Sequence, residues 1–143
     1  MNENVTQSLI SEVPHENAFN FCILKVFWLK SVNRRLVVVL RNKILIYDIK
    51  DDFKSELYLE LELNNSELIR SSVIVENEGE EFIVGTFDSN RYFVHCCKNN
   101  TPEKKAALIN DVFAFPWSNS NPIISYCSSI DYFFVSFSGP NIA

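Results

Sequence analysis

Short runs of apolar residues, some continuous and one strictly alternating with polar positions, are separated by polar turns along this chain, the pattern of extended strands rather than helices. In 21–29, Phe21, Ile23, Lys25, Phe27 and Leu29 alternate with Cys22, Leu24, Val26 and Trp28, and both sets are largely apolar. Arg35–Leu40 and Lys43–Ile49 consist mostly of β-branched or large apolar residues around the polar turn Arg41-Asn42. They predict a hairpin covered on both faces. Glu56–Leu63 alternates strictly, with Leu57, Leu59, Leu61 and Leu63 opposed to Glu56, Tyr58, Glu60 and Glu62. That is the pattern of an edge strand with one wet face. Strands are also expected over 68–75, 81–86 and 91–97, with turns at Asn77–Glu80 and Asp88–Asn90. Ala106–Asn110 reads as an outer strand or one helical turn. A further group is expected to start at 111–117, to break at Pro116 and Pro122, and to continue over 123–127 and 131–137. No segment has the pattern of a long helix. Residues 1–19 lack periodicity, contain Pro14 and read as a polar tail.

The strands repeat. Leu36–Leu40 with Ile44–Asp48 is answered by Phe82–Thr86 with Tyr92–Cys96, and again by Tyr132–Ser136 followed by Ser138–Ile142. The spacing, about 46 to 50 residues, is that of a propeller blade, a unit that buries its faces only against its neighbours. The expected fold is therefore all-β, built from repeated four-stranded antiparallel units as a partial, incomplete β-propeller. One β domain is expected over 20–143, with repeats at 20–64, 65–110 and 111–143. The last repeat stops mid-hairpin, so the chain reads as a part of something larger whose open edges and faces need partners.

Composition narrows the chemistry. The net charge of −5 and the scattered Lys and Arg argue against a nucleic-acid-binding face, which needs clustered cations. Met1–Thr6 is polar and acidic rather than basic and then apolar, so no secretory leader is expected. Cys22, Cys96, Cys97 and Cys127 form no C-x-x-C pair, and free thiols in a reducing compartment are expected. His95 and Cys96 are adjacent on a strand and face opposite ways. Asp51-Asp52 and Glu78–Glu81 fall in turns, as solvated carboxylates do. Gly79, Gly85 and Gly139 form no phosphate-cradling motif. No enzyme motif, cofactor site or metal site is read.

Two blocks carry a family resemblance: Arg35–Ile49, and Phe82–Gly85 followed by Phe93-Val94, with Gly139–Ile142 closing the last unit. They resemble the propeller region of the family holding the large subunits of cleavage and polyadenylation specificity factor and damage-specific DNA-binding protein, together with the splicing-factor propeller subunit. The resemblance implies a non-enzymatic scaffold of a multiprotein complex, intracellular and nuclear, for RNA processing or ubiquitin ligation. Its partners would be other protein subunits, with nucleic acid met only indirectly, no membrane, and self-association through open edges. The candidate contact residues are Glu56, Tyr58, Glu60 and Glu62 on the wet strand, and Tyr132, Phe134 and Phe137 on the last hairpin. Asn33–Leu40 with Lys43–Ile49 also resembles the phosphoinositide-binding WD-like propellers of autophagy. That alternative implies a lipid surface met by Arg34, Arg35, Arg41 and Lys43.

Overall fold

The computed structural model describes residues 22–30, 34–52, 54–63, 67–97, 106–116 and 121–138. The expected tail at 1–19 and the turn at Gly139–Ile142 lie outside them. The described elements are strands: β1 (Ile23–Trp28), β2 (Arg35–Leu40), β3 (Lys43–Ile49), β4 (Ser55–Leu63), β5 (Ile69–Asn77), β6 (Glu80–Phe87), β7 (Arg91–Cys96), β8 (Ala106–Ile109), β9 (Val112–Ala114), β10 (Pro122–Cys127) and β11 (Tyr132–Phe137).

They form three sheets. Sheet I has the order β1-β2-β3-β4-β8, sheet II the order β5-β6-β7-β9, and sheet III is the hairpin β10-β11. Pairing is antiparallel except between β4 and β8. Among the described residues no sheet closes on itself. The fold is all-β, and a ring of four-stranded repeats is not seen.

The alternation sorts side chains into layers. Val37, Val39, Ile44, Ile46, Leu59 and Leu61 of sheet I meet Ile69, Ile83, Phe87 and Phe93 of sheet II in the central core. The opposite face of sheet I, with Leu36, Val38, Leu40, Leu45, Tyr47 and Ile49, is buried as well. This is why β2 and β3 read as continuous apolar runs. The opposite face of sheet II, with Val73, Val75 and Val84, receives Ile124 of sheet III.

Local chemistry fixes the turns and one close approach. Glu78 and Gly79 both have positive φ, 54° and 82°, as a twisted two-residue hairpin requires. Gly85 lies beneath the Phe93 ring. A Cβ there would stand 2.4 Å from two ring carbons and 2.8 Å from the Ser71 carbonyl oxygen.

Three expectations are corrected. Ala106–Ile109 is a strand, but it joins sheet I, parallel to Glu60–Leu63, instead of closing the second unit. Val112–Ala114 pairs with Arg91–Phe93, so it is the fourth strand of sheet II and not the start of a third unit. The expected boundary at 110/111 therefore falls between two strands that belong to different sheets. The third correction concerns β4. Along Glu60–Leu63 it is an interior strand, because β8 covers that edge. Its alternation is also interrupted: Ile46 pairs with Leu59 and Tyr47 with Leu57, which leaves Tyr58 as the extra residue of a bulge. The bulge sends Leu57 to the outer apolar cluster and Tyr58 towards the central core.

Candidate interaction surface

Sheet III is pinned to sheet II through the hydroxyls of half-buried Ser71 and buried Thr86. The Ile124 N–H donates to Ser71 Oγ at 3.0 Å, Ser71 bonds to Thr86 Oγ1, and Thr86 Oγ1 donates to the Pro122 carbonyl at 2.6 Å. Thr86 is fully buried, and the relay gives its hydroxyl the partners that burial demands. Asp88 ties the layers at one end. It accepts from Arg41 Nη2 of the β2–β3 turn at 2.6 Å and faces Arg70 Nε of β5 at 3.2 Å, a contact of charges more than an aligned hydrogen bond. Arg70 Nη2 in turn donates to Asn121 Oδ1, just before β10, at 2.9 Å.

The two faces of the hairpin differ. Pro122, Ile124, Tyr126, Phe133, Val135 and Phe137 turn towards sheet II, while Ile123, Ser125, Cys127, Tyr132, Phe134 and Ser136 turn away. On the outward face Ile123, Tyr132 and Phe134 are 48%, 65% and 53% exposed. Beneath β11 lies a cleft of about 530 Å3. Phe82, Tyr92, Val94, Phe115, Phe133 and Val135 wall it, and Asn77 and Asp131 stand at one end. Rings step across its far end: Tyr92 lies 5.4 Å from Phe113 and 4.7 Å from Phe115, and Phe115 meets Phe137 edge to face at 5.3 Å. The Tyr126 hydroxyl bonds to Asp131, and that bond to a carboxylate holds the phenol pKa above its ordinary value.

The residues singled out from the sequence scatter over the molecule. Tyr132 and Phe134 share the outward face, but Phe137 points inward onto Phe115. Tyr58 is not on a wet face: the Arg35 guanidinium covers its ring at 3.5 Å from the centroid. Glu56 is exposed and pairs with Lys50 at 3.5 Å. Glu60 is half-buried and pairs with Lys43 at 3.6 Å. Burial and a hydrogen bond with Glu62 raise the Glu60 pKa against the opposing pull of Lys43. Glu62 is exposed beside it.

The four cations of the alternative reading divide between the two ends of β2. Arg34 pairs with Asp51, and Arg35 pairs with Asp48 at 2.7 Å. Arg41 and Lys43, at the other end, hold Asp88 and Glu60. A carboxylate therefore stands against each of them.

The four cysteines are free thiols. Cys22 is exposed and the others are half-buried. Burial, then the Glu81 carboxylate, then Cys96, push the Cys97 thiol up to about 12. Among the described residues no group of three or more metal-ligating side chains converges. No helix among them is long and apolar enough to cross a membrane. Sequence reasoning missed Ile123, the cleft, the Ser71–Thr86 relay and the Asp88 tie. One signal was present: Ser71 and Thr86 interrupt otherwise apolar strand faces.

No protein-family model, curated protein or solved structure matches this chain.

Proposed function

We propose that this chain is a non-enzymatic protein–protein interaction scaffold that works by burying the open third sheet against a partner. The observation that carries the reading is a two-stranded sheet with one face on sheet II and an outward face bearing Ile123, Tyr132 and Phe134. An apolar face of this kind marks a contact surface. The stack of mostly antiparallel sheets further supports a partial propeller. The resemblance of Arg35–Ile49, and of Phe82–Gly85 followed by Phe93-Val94, to the RNA-processing and ubiquitin-ligase propeller scaffolds supports a place in a nuclear complex of that kind. The lipid-surface alternative is weakened by the carboxylates paired with Arg34, Arg35, Arg41 and Lys43.

The test is light scattering after size-exclusion chromatography, with binding of a hydrophobic dye measured alongside. The wild-type chain is expected to self-associate or to bind dye strongly. Tyr132→Ser with Phe134→Ser is expected to abolish both without unfolding the chain. A wild-type monomer that leaves the dye dark contradicts the proposal.

A further inference from the structure

Resting on that reading, we infer that the partner supplies one extended strand, antiparallel to β11, with apolar side chains at alternate positions and Lys or Arg at its C-terminal end. Three features point there. First, among the described residues no strand pairs with the second edge of β11, whose backbone groups are therefore a template for another strand. Second, the cleft lies where such a strand would place its inward side chains. β10 rests on β5 and β6 through the Ser71–Thr86 relay, and β11 reaches over the β6–β7 side. The upper surfaces of β7 and β9 carry Tyr92, Val94 and Phe113, and Phe113 is 47% exposed. An added strand would cover these rings and fill the cleft with every second side chain, while its other side chains extend the outward face of Tyr132 and Phe134.

Third, the charge is one-sided. The end of the cleft holds Asp131 and Asn77, and Asn77 belongs to the turn Glu76–Glu80, with Glu76 and Glu78 exposed. β11 starts at this acidic end, so an antiparallel partner finishes there, and a terminal cation meets Asp131. Among the described residues that line the cleft, Asp131 is the charged one.

The probe is a short peptide of alternating Thr and Ile that ends in Lys-Lys, labelled for fluorescence anisotropy and titrated with the full chain. Saturable binding is expected. It should be lost when alternate peptide nitrogens are methylated, because methylation removes the backbone donors and keeps the side chains. Ending the peptide in Glu-Glu, or Asp131→Asn in the protein, should weaken binding about threefold to tenfold, the scale of one or two partly solvated charge pairs. Equal binding of the methylated peptide or of a scrambled sequence overturns the inference. So does failure of the unmodified peptide to bind, whether a second copy, another segment of this chain or nothing fills the position. If the peptide fails while Tyr132→Ser with Phe134→Ser still abolishes association, the partner covers the face without adding a strand. In that case the scaffold reading survives and this inference falls.

Discussion

Gly85 shows how one residue positions a layer. Its missing side chain lets the Phe93 ring lie on β6, fully buried and 5.3 Å from the Phe87 ring. Gly85→Ala is expected to cost roughly 1–3 kcal/mol, the usual penalty of overpacking a filled core. Chemical denaturation would measure it, and Phe93→Leu in the same background should recover part of the loss. The Cys97 thiol makes a prediction in pH. Its pKa is raised from 9.0 to about 12, so the folded chain keeps a proton that the unfolded chain releases. Stability from this site is full below 9.0 and declines as pH rises towards about 12. Denaturation midpoints of the wild type should fall more steeply over that window than those of Cys97→Ser. The bulge at Tyr58 marks a limit of residue patterns. Glu56–Leu63 alternates without a break, and nothing in those letters says that the register will slip beside Ile46 and Tyr47. The slip lets Tyr58 lie under Arg35, which also pairs with Asp48 across the sheet. Those partners are remote in sequence, so the strand's own pattern carried no trace of it.

Strands were legible at the scale of elements because local alternation and β-branched content specify them. β2 and β3 are found at the expected residues, and β5, β6, β7, β10 and β11 lie within two residues of them. Which strands pair was legible only between chain neighbours joined by short turns. β8 and β9 are separated by two residues and enter different sheets, β8 against β4 and β9 against β7. Four-residue and three-residue strands carry too little pattern to state a partner. The links between elements depend on polar residues inside apolar surroundings. Thr86→Val removes the donor to Pro122 and the partner of Ser71, and is expected to cost about 1–3 kcal/mol. Its signature is local: amide exchange should quicken in β10 and β11 and stay unchanged in β2 and β3. Asp88→Ala releases Arg41 and Arg70 together. The carboxylate is 38% exposed, so solvent screens the pairs and the expected loss is only ~1 kcal/mol. Thermal unfolding would read it, with Arg41→Ala and Arg70→Ala each costing less.

At the scale of the molecule, the sheets decrease among the described residues from five strands to four to two, and the apolar surface they leave exposed concentrates on the last. Tyr132 and Phe134, read from the sequence as contact residues of the last hairpin, lie together on that surface. The sequence did not mark Ile123, and it counted Phe137 among the contact residues although that ring packs on Phe115. The cleft was invisible in the sequence, since its walls come from β5, β6, β7, β10 and β11 and from Phe115 after β9. The central claim is that β11 presents an open edge. Hydrogen exchange of the β10–β11 amides, at low and then at high protein concentration, tests it most directly. The account predicts that alternate β11 amides exchange rapidly in dilute protein, while β2 and β3 stay protected, and that β11 slows as the chain associates. Protection of every β11 amide in dilute protein, equal to that of β2 and β3, would contradict it and show the third sheet already closed.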